Sequence, residues 1–381
     1  MISGARLGIW VGPVVPQPLA PHLLGCVQQV SVVTQDGARS GFQITLVAGR
    51  DAETGRDDVP GLLDQTFRIG NRVQLTATLN GAPHVLMDGI ITTHTLAPGA
   101  DANSGRLTVT GEDLTVLLDL VEVSLPFPGM SDALIAGLCL APLIGFGAVP
   151  VVVPEPALIM PLPTEKIPHH NGTFLGILND LAQRWGYTCY LTPGPQRGMS
   201  TVYWGPPIRA GIPQRALTWR MGSAGNLGSI SFQHDGTKPK MVYGLVQESR
   251  TNAPVPVVGL PFTGQPMATV PSWVGNVPFV GVKRMEDDES GDVLAALWRA
   301  TGEVFRSAKG SVTASGEVDV ASYGSVLTAR GLVDVRGVGL TMDGTWYVQS
   351  VTSTLTPGSW KQSFTLEREG TVALSRKVAL V

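Results

Sequence analysis

Charge is scarce in this 381-residue sequence. Asp, Glu, Lys and Arg make up 15% of it, against roughly 25% in an ordinary soluble domain. The formal net charge is −3, which supplies no basic field and argues against stable nucleic-acid binding as the main task. Cysteine is scarcer still. Cys26, Cys139 and Cys189 stand singly in apolar surroundings, and an odd number at wide spacing reads as buried free thiols, not a disulfide framework or zinc site. The adjacent pair His169-His170 lies in a Pro-rich stretch without Cys, Asp or Glu at ligand spacing, so it reads as surface loop. There is no Gly-x-Ser-x-Gly elbow, no phosphate loop ending in Lys-Ser/Thr and no His-Glu-x-x-His helix. Glu112-Asp113 are neighbours whose side chains point apart and cannot flank one bond. No catalytic, cofactor-binding or metal-binding residue stands out, and the expectation is a non-enzymatic protein without a cofactor. An unbroken apolar leader is also missing, since Pro13, Pro16 and Pro18 interrupt the start; a secretory signal is not expected.

What the sequence has is turns and apolar runs. Hydrophobic residues are 43% of the chain, alongside 46 glycines and 29 prolines, so this is a folded, turn-rich protein and not a disordered one. The stretch Ala133 to Pro154 carries no charge and is long enough to cross a bilayer. Pro142, Pro150 and three glycines oppose a spanning helix, because a proline inside a helix costs about 3 kcal/mol. The stretch reads as a buried helix capped by Ser131 and ending at Leu140, then a turn and a strand Val149–Val153. No membrane span is expected.

Alternation dominates elsewhere. Val27–Val33 and Phe42–Val47 read as strands joined through Asp36-Gly37. Val73, Leu75, Ala77 and Leu79 alternate up to Asn80-Gly81, a strong hairpin signal, and Val85–Leu96 returns. Arg106–Thr110 adds a strand, with a short helix over Glu112–Leu120. Thr173–Trp185 predicts a helix whose Phe174, Ile177, Leu178, Leu181 and Trp185 share a face, with Gly186 at its left-handed end. Tyr187–Leu191 and Thr201–Trp204 read as paired strands, followed by Gly228–Asp235 and Lys240–Glu248. Residues 250–283 hold prolines at 254, 256, 261, 266, 271 and 278 and little periodicity, and read as a surface excursion. The acidic run Glu286–Glu289 precedes a helix from Asp292 to Ser307, with Val293, Leu294, Leu297, Thr301, Val304 and Phe305 inward; the run suits the helix's positive end. Ser311–Val320 is a further strand.

The last forty residues or so read as a β-meander. The strand Leu332–Val338 ends at Gly337 and Gly339, Asp343-Gly344 gives a hairpin signal, and Trp346–Leu355 follows. Pro357-Gly358 turns the chain again, and Trp360, Gln362, Phe364 and Leu366 fall on one face of the closing strand. Taken together, Gly337, Gly339, Asp343, Gly344, Tyr347, Val348, Val351, Phe364 and Leu366, with Arg368-Glu369-Gly370 at the close, resemble the C-terminal module of the late-control D-type baseplate hub proteins. These belong to contractile phage tails and contractile injection systems, and form the hub part of type VI secretion spike proteins. The helix phrase from Phe174 to Tyr187 is similar to the same family. One departure is Ser353, where members often have His.

The resemblance implies a mainly β protein with α+β elements: two tail-tube-like antiparallel β-barrels with a small α/β middle domain. The units would be residues 1–125, 126–215 and 216–381, the last with the excursion 250–283 and a C-terminal arm 367–381 running across a neighbour on Val372, Leu374, Val378 and Leu380. It implies a homotrimer that adapts a hexameric tail-tube ring to a separate trimeric central spike, among other baseplate proteins, in a particle assembled in the bacterial cytoplasm. Two other readings remain at this point. One is a carbohydrate-binding tail protein stacking sugars on Trp273, Trp298 or Trp360, and the other a cell-wall polysaccharide hydrolase.

Overall fold

The computed structural model describes residues 6–48, 61–62, 64–99, 105–156, 164, 167–222, 225–248, 251–260, 266–275, 279–285 and 292–374. Alternating apolar residues build the first part: β1 (Arg6–Gly12), β2 (Val27–Gln35), β3 (Gly41–Val47), β4 (Arg72–Leu79), β5 (Ala82–Ala97) and β6 (Arg106–Asp113). Phe42, Ile44 and Leu46 are buried on one face of β3, and Val73, Leu75, Ala77 and Leu79 on one face of β4. Asn80 and Gly81 take the positive φ that a two-residue hairpin requires, and Leu79 pairs with Ala82 across them. The short helix expected over Glu112–Leu120 is a 3-10 turn, Leu114–Asp119, because Asp113 turns inward and caps it at Thr115.

The middle part holds α1 (Asp132–Leu140), β7 (Ala148–Val152), α2 (Phe174–Trp185), β8 (Thr188–Pro193) and β9 (Ser200–Gly205). Ser131 and Thr173 cap the two helices, and Gly186 closes α2 in the left-handed conformation. β7 lies parallel to β9, which pairs antiparallel with β8. His169-His170 differ from the expected loop: they begin a strand, His169–Thr173, paired with Glu122–Pro126.

Next come β10 (Leu227–His234), β11 (Lys240–Gln247), β12 (Pro254–Val258), β13 (Ala268–Pro271), β14 (Gly281–Arg284) and α3 (Val293–Ala308). The chain then forms β15 (Val312–Asp319), β16 (Leu332–Arg336), β17 (Gly344–Thr356), β18 (Ser359–Arg368) and β19 (Gly370–Ala373). The supposed excursion is woven into the fold. β12, β11 and β14 form a sheet that packs on α3 through Val242, Val246 and Val257, and Met267 and Ala268 are buried. Pro254 and Pro256 sit on β12, an edge strand, where a missing N–H costs no ladder bond. Phe262, Pro278 and the acidic run Glu286–Glu289 lie outside the described residues. The C-terminal arm also differs: β19 pairs with β13 of its own chain, while Val378 and Leu380 lie outside the described residues.

The inward face of α3 is largely the expected one, with Thr301 and Val304 buried and Val293 and Leu297 packed on the same core, but it also takes in small residues and leaves one leucine out. Ala295, Ala296, Ala300 and Gly302 are buried, while Leu294 is exposed. The reason is close approach: a side-chain carbon on Gly302 would lie 2.9 Å from the Trp185 carbonyl oxygen at the end of α2.

Strands take 49% of the residues and helices 19%, so the chain is mainly β with antiparallel sheets, as expected. The two closed barrels are not found among the described strands. One open sheet runs β10–β15–β18–β17–β2–β3–β6–β5–β4–β1. Its centre is the pairing of Ser350–Leu355 in β17 with Val30–Gln35 in β2. One of these strands comes from the N-terminal part of the chain and the other from the C-terminal part, and by pairing each satisfies the other's backbone. Burial follows: Val320, Val326, Leu355 and Trp360 pack into the core built on β1–β6.

Candidate functional site

The seam between β2 and β17 is where the meander motif and the buried charges come together. On β17 and β18, Tyr347, Val348, Val351, Phe364 and Leu366 are all buried, as are Trp346, Trp360 and Gln362. Gly337 has φ 87°, and a side-chain carbon there would lie 2.2 Å from the Trp219 carbonyl oxygen. Backbone conformation and close approach both require glycine at that position. Gly339 and Gly344 have φ of 110° and 111°.

Asp343-Gly344 do not form the two-residue hairpin. β16 ends at Arg336, Val335 pairs with Gly344, and residues 337–343 form a longer loop. Asp343 closes it, accepting the Val338 N–H at 2.9 Å while its own N–H donates to the Gly339 carbonyl at 2.7 Å. Pro357-Gly358 does form a two-residue turn, with Thr356 paired to Ser359.

The closing Arg368-Glu369-Gly370 locks this loop. Arg368 is fully buried, and its guanidinium donates to the carbonyls of Gly370, Asp343 and Thr341 at 2.9, 3.0 and 2.8 Å. It also lies 4.3 Å from the centre of the Trp346 ring. Burial pulls its pKa down to about 10, so it stays a cation at neutral pH. Glu369 accepts the N–H groups of Met267 and Ala268, fixing the start of β13.

Beneath the seam lies a cluster of ions that local sequence patterns did not reveal. Asp36, placed in the β2–β3 turn, is held by Lys309 at 2.6 Å and by the Thr188 hydroxyl at 2.8 Å. Residues from the beginning, middle and end of the chain therefore meet on one carboxylate. Burial pushes the Asp36 pKa up, but attraction and hydrogen bonding from Lys309, with the Thr188 bond, outweigh it and hold it below its ordinary value. Glu367 is bound by Arg209 at 2.5 Å and lies 3.6 Å from Lys309; burial dominates there and raises its pKa against those cations. The Tyr347 ring has the Arg209 and Lys309 cations 5.0 and 5.8 Å from its centre. Its hydroxyl has no hydrogen-bond partner among the described residues, and burial raises its pKa far above the usual phenol value. Arg330 reaches across the seam to the carbonyls of Gln35 at 2.7 Å and Leu191 at 2.8 Å, 4.1 Å from the Tyr190 ring centre.

These groups hold segments of the chain together. Glu112 pairs with Arg39 at 2.8 Å, while Asp113 faces the Ser40 and Thr115 N–H groups. Burial pushes the Cys139 and Cys189 thiols up to about 11 and about 12, out of the nucleophilic range. Among the described residues no three His, Cys, Asp or Glu side chains gather as metal ligands would, and no helix is long and apolar enough to cross a membrane. Of the tryptophans considered for sugar stacking, Trp360 is 2% exposed and Trp273 half-buried; Trp298 is exposed.

No protein-family model matches the sequence, and no curated protein sequence is similar to it. Solved structures do match over nearly the whole chain. A tail protein from Neisseria meningitidis MC58 aligns with TM-score 0.64 and 16% identity, over 97% of this chain and 98% of its own. The 43 kDa tail protein of prophage MuSo2 from Shewanella oneidensis gives TM-score 0.64 and 12% identity, over 95% and 98%. An E. coli type VI secretion component, itself structurally similar to the phage T4 tail proteins gp27 and gp5, gives TM-score 0.53 and 11% identity, over 92% and 74%. The chain therefore has a fold shared by phage tail proteins and a type VI secretion component.

Proposed function

We propose that this chain is a structural, non-enzymatic baseplate hub of a contractile phage tail or contractile injection system. The observation that carries the reading is the structural match of 97% and 95% of the chain to two tail proteins that are each covered to 98%. The C-terminal motif residues support it: Tyr347 and Arg368 are buried, and Arg368 and Asp343 tie together the loop that Gly337 opens. In this reading the chain divides into units 1–125, 126–215 and 216–381, and the two halves of the open sheet are the tube-like units. Three copies carry six such halves. They meet a hexameric tube on one side and a trimeric spike, a separate polypeptide, on the other, alongside other baseplate proteins. Rotational symmetry alone makes the conversion, without a change of fold in either neighbour. The particle assembles in the bacterial cytoplasm.

The test is reconstitution. The purified chain, alone and mixed with the tube and spike proteins of its own gene neighbourhood, is followed by sedimentation velocity. A trimer that binds both neighbours supports the proposal. A chain that stays monomeric and sediments apart from both overturns it.

A further inference from the structure

The β2–β17 ladder that joins the two halves of the sheet stops short at one end. Its last pair is Val30 with Leu355. β2 nevertheless begins at Val27, and Val27 and Gln29 pair only with β3, on the other side. Gln28 is the extra residue of a bulge between those two pairs. A bulge bends its strand and adds twist, which turns the start of β2 away from β17. On the other lip, β17 ends at Thr356 and turns through Pro357-Gly358 into β18. The strands therefore part. Among the described residues, no strand pairs with Val27–Gln29 on the β17 side.

A cavity of about 410 Å³ lies in this notch, within the roughly 300–1,000 Å³ of sites that take ligands. Leu7, Leu24, Val27, Leu355 and Trp360 make its apolar walls, and Gln28, Thr356 and Ser359 supply its polar groups. Among the described residues no charged side chain lines it. Leu24 comes from the short helix Pro21–Gly25 and is 37% exposed, so the notch is open to solvent from that side. Trp360 gives an independent sign of a missing partner. Its side chain is buried, and its indole N–H has no acceptor among the described residues. Buried donors are nearly always paired, and one that is not calls for an explanation.

We propose that the notch binds an extended, uncharged peptide segment of another protein, which adds a short strand beside Val27–Gln29. Unpaired N–H and C=O groups on a strand edge are a template for one more strand. Added strands are recognised by their main chain, with pockets for alternate side chains supplying selectivity; here the apolar walls are such a pocket, and they continue the β2–β17 ladder. The uncharged lining excludes an acidic or basic segment, because a charge brought there loses its water and gains no partner. A carbonyl of the entering main chain, with a small turn of the Trp360 ring, gives the indole N–H its acceptor. No described strand of the chain enters the notch, so the segment comes from another polypeptide. Peptide binding by the chain alone tests this, so it stands or falls apart from the hub reading.

The test is calorimetric titration of the full-length chain with the acetylated, amidated peptide Ser-Val-Thr-Val-Thr-Val-Ser. Two altered peptides accompany it, one N-methylated at alternate amides and one with Asp for the central Val. The first peptide should bind with a Kd below about 1 mM, and each altered peptide at least about tenfold more weakly. Leu24→Trp, which fills the cavity from its exposed side, should also weaken binding at least about tenfold while the melting temperature stays at the wild-type value. Thr356→Trp, on the exposed opposite lip, serves the same purpose if Leu24→Trp folds poorly. No binding by the wild type up to about 1 mM overturns the proposal. Equal binding of the N-methylated peptide overturns strand addition, since only the main-chain donors differ. Folded cavity variants that bind like the wild type place the peptide elsewhere and overturn the site. Tighter binding by a chain cut after Leu374 assigns the notch to residues 375–381 of this chain or another copy, and overturns a segment of another protein as its occupant.

Discussion

Replacing Lys309 by Met tests whether the cluster beneath the seam holds the three parts of the chain together. The Asp36 side chain is fully buried and Lys309 lies 2.6 Å from it, itself 21% exposed. Removing one partner of a buried ion pair costs about 3–5 kcal/mol, because the remaining charge is left uncompensated. Thr188 still donates to Asp36 and Arg330 is near enough to attract it, so the loss belongs at the lower end, about 3 kcal/mol. At about 2 °C per kcal/mol for a chain of this size, the melting temperature should fall by about 6 °C. The pH dependence gives the loss a signature. The folded Asp36 pKa lies below its ordinary value of 3.8. Its ionised form therefore adds stability that is present above that value and lost as pH falls through the lower, folded one. The gap between wild type and Lys309→Met should be full at neutral pH and shrink below about pH 4. The double variant Asp36→Asn/Lys309→Met should recover part of the loss, since no buried charge is stranded. Calorimetric scans at neutral and acidic pH measure all three proteins. A loss under about 1 kcal/mol, as for a surface pair, or a loss equal at both pH values, would refute the reasoning.

Arg368→Met should destabilise by about 2 kcal/mol, since it strands the buried Gly370 carbonyl, which costs about 1–3 kcal/mol unpaired, and removes the bonds to the part-buried Asp343 and Thr341 carbonyls; chemical denaturation reads the change. Tyr347→Phe should be neutral or stabilising by up to about 1 kcal/mol, because the deleted hydroxyl has no partner; a clear loss in the same assay would show that the hydroxyl is bonded. Gly337→Ala should cost more than about 1 kcal/mol, as both φ and the Trp219 carbonyl oppose a side chain. In thiol-labelling under native conditions, Cys139 and Cys189 should stay unmodified at neutral pH, their pKa values raised to about 11 and about 12, and become reactive on unfolding.

Elements whose signal is local were legible in the sequence. β3 and β4 follow strict alternation, Asn80-Gly81 fixes its hairpin, and α2 carries both its Thr173 cap and its Gly186 stop. The faces of β18 were legible for the same reason, down to Gln362, whose buried amide bonds Leu327 on both sides of its carboxamide. What depends on distant partners was not. Nothing in Val30–Gln35 says that its neighbour is Ser350–Leu355, because backbone ladders carry no address. Asp36 read as a turn residue, and only folding brings Lys309 and Thr188 to it. The Pro-rich segment misled because proline argues against a central strand, whereas β12 is an edge. On α3, size misled: bulky Leu294 looked inward-facing, while the tight approach of α2 selected Ala295, Ala300 and Gly302. The motif residues were found by resemblance, but the reason for Arg368 became visible only with its three carbonyls in place.

The central claim is that this chain joins a tube to a spike as a ring of identical copies. Native mass spectrometry of the chain mixed with its tube and spike proteins tests that claim most directly. The account predicts a complex of three hub copies with one trimeric spike, which then captures a hexameric tube ring. Hub chains that remain single, or that bind neither partner while both partners assemble normally, would contradict it.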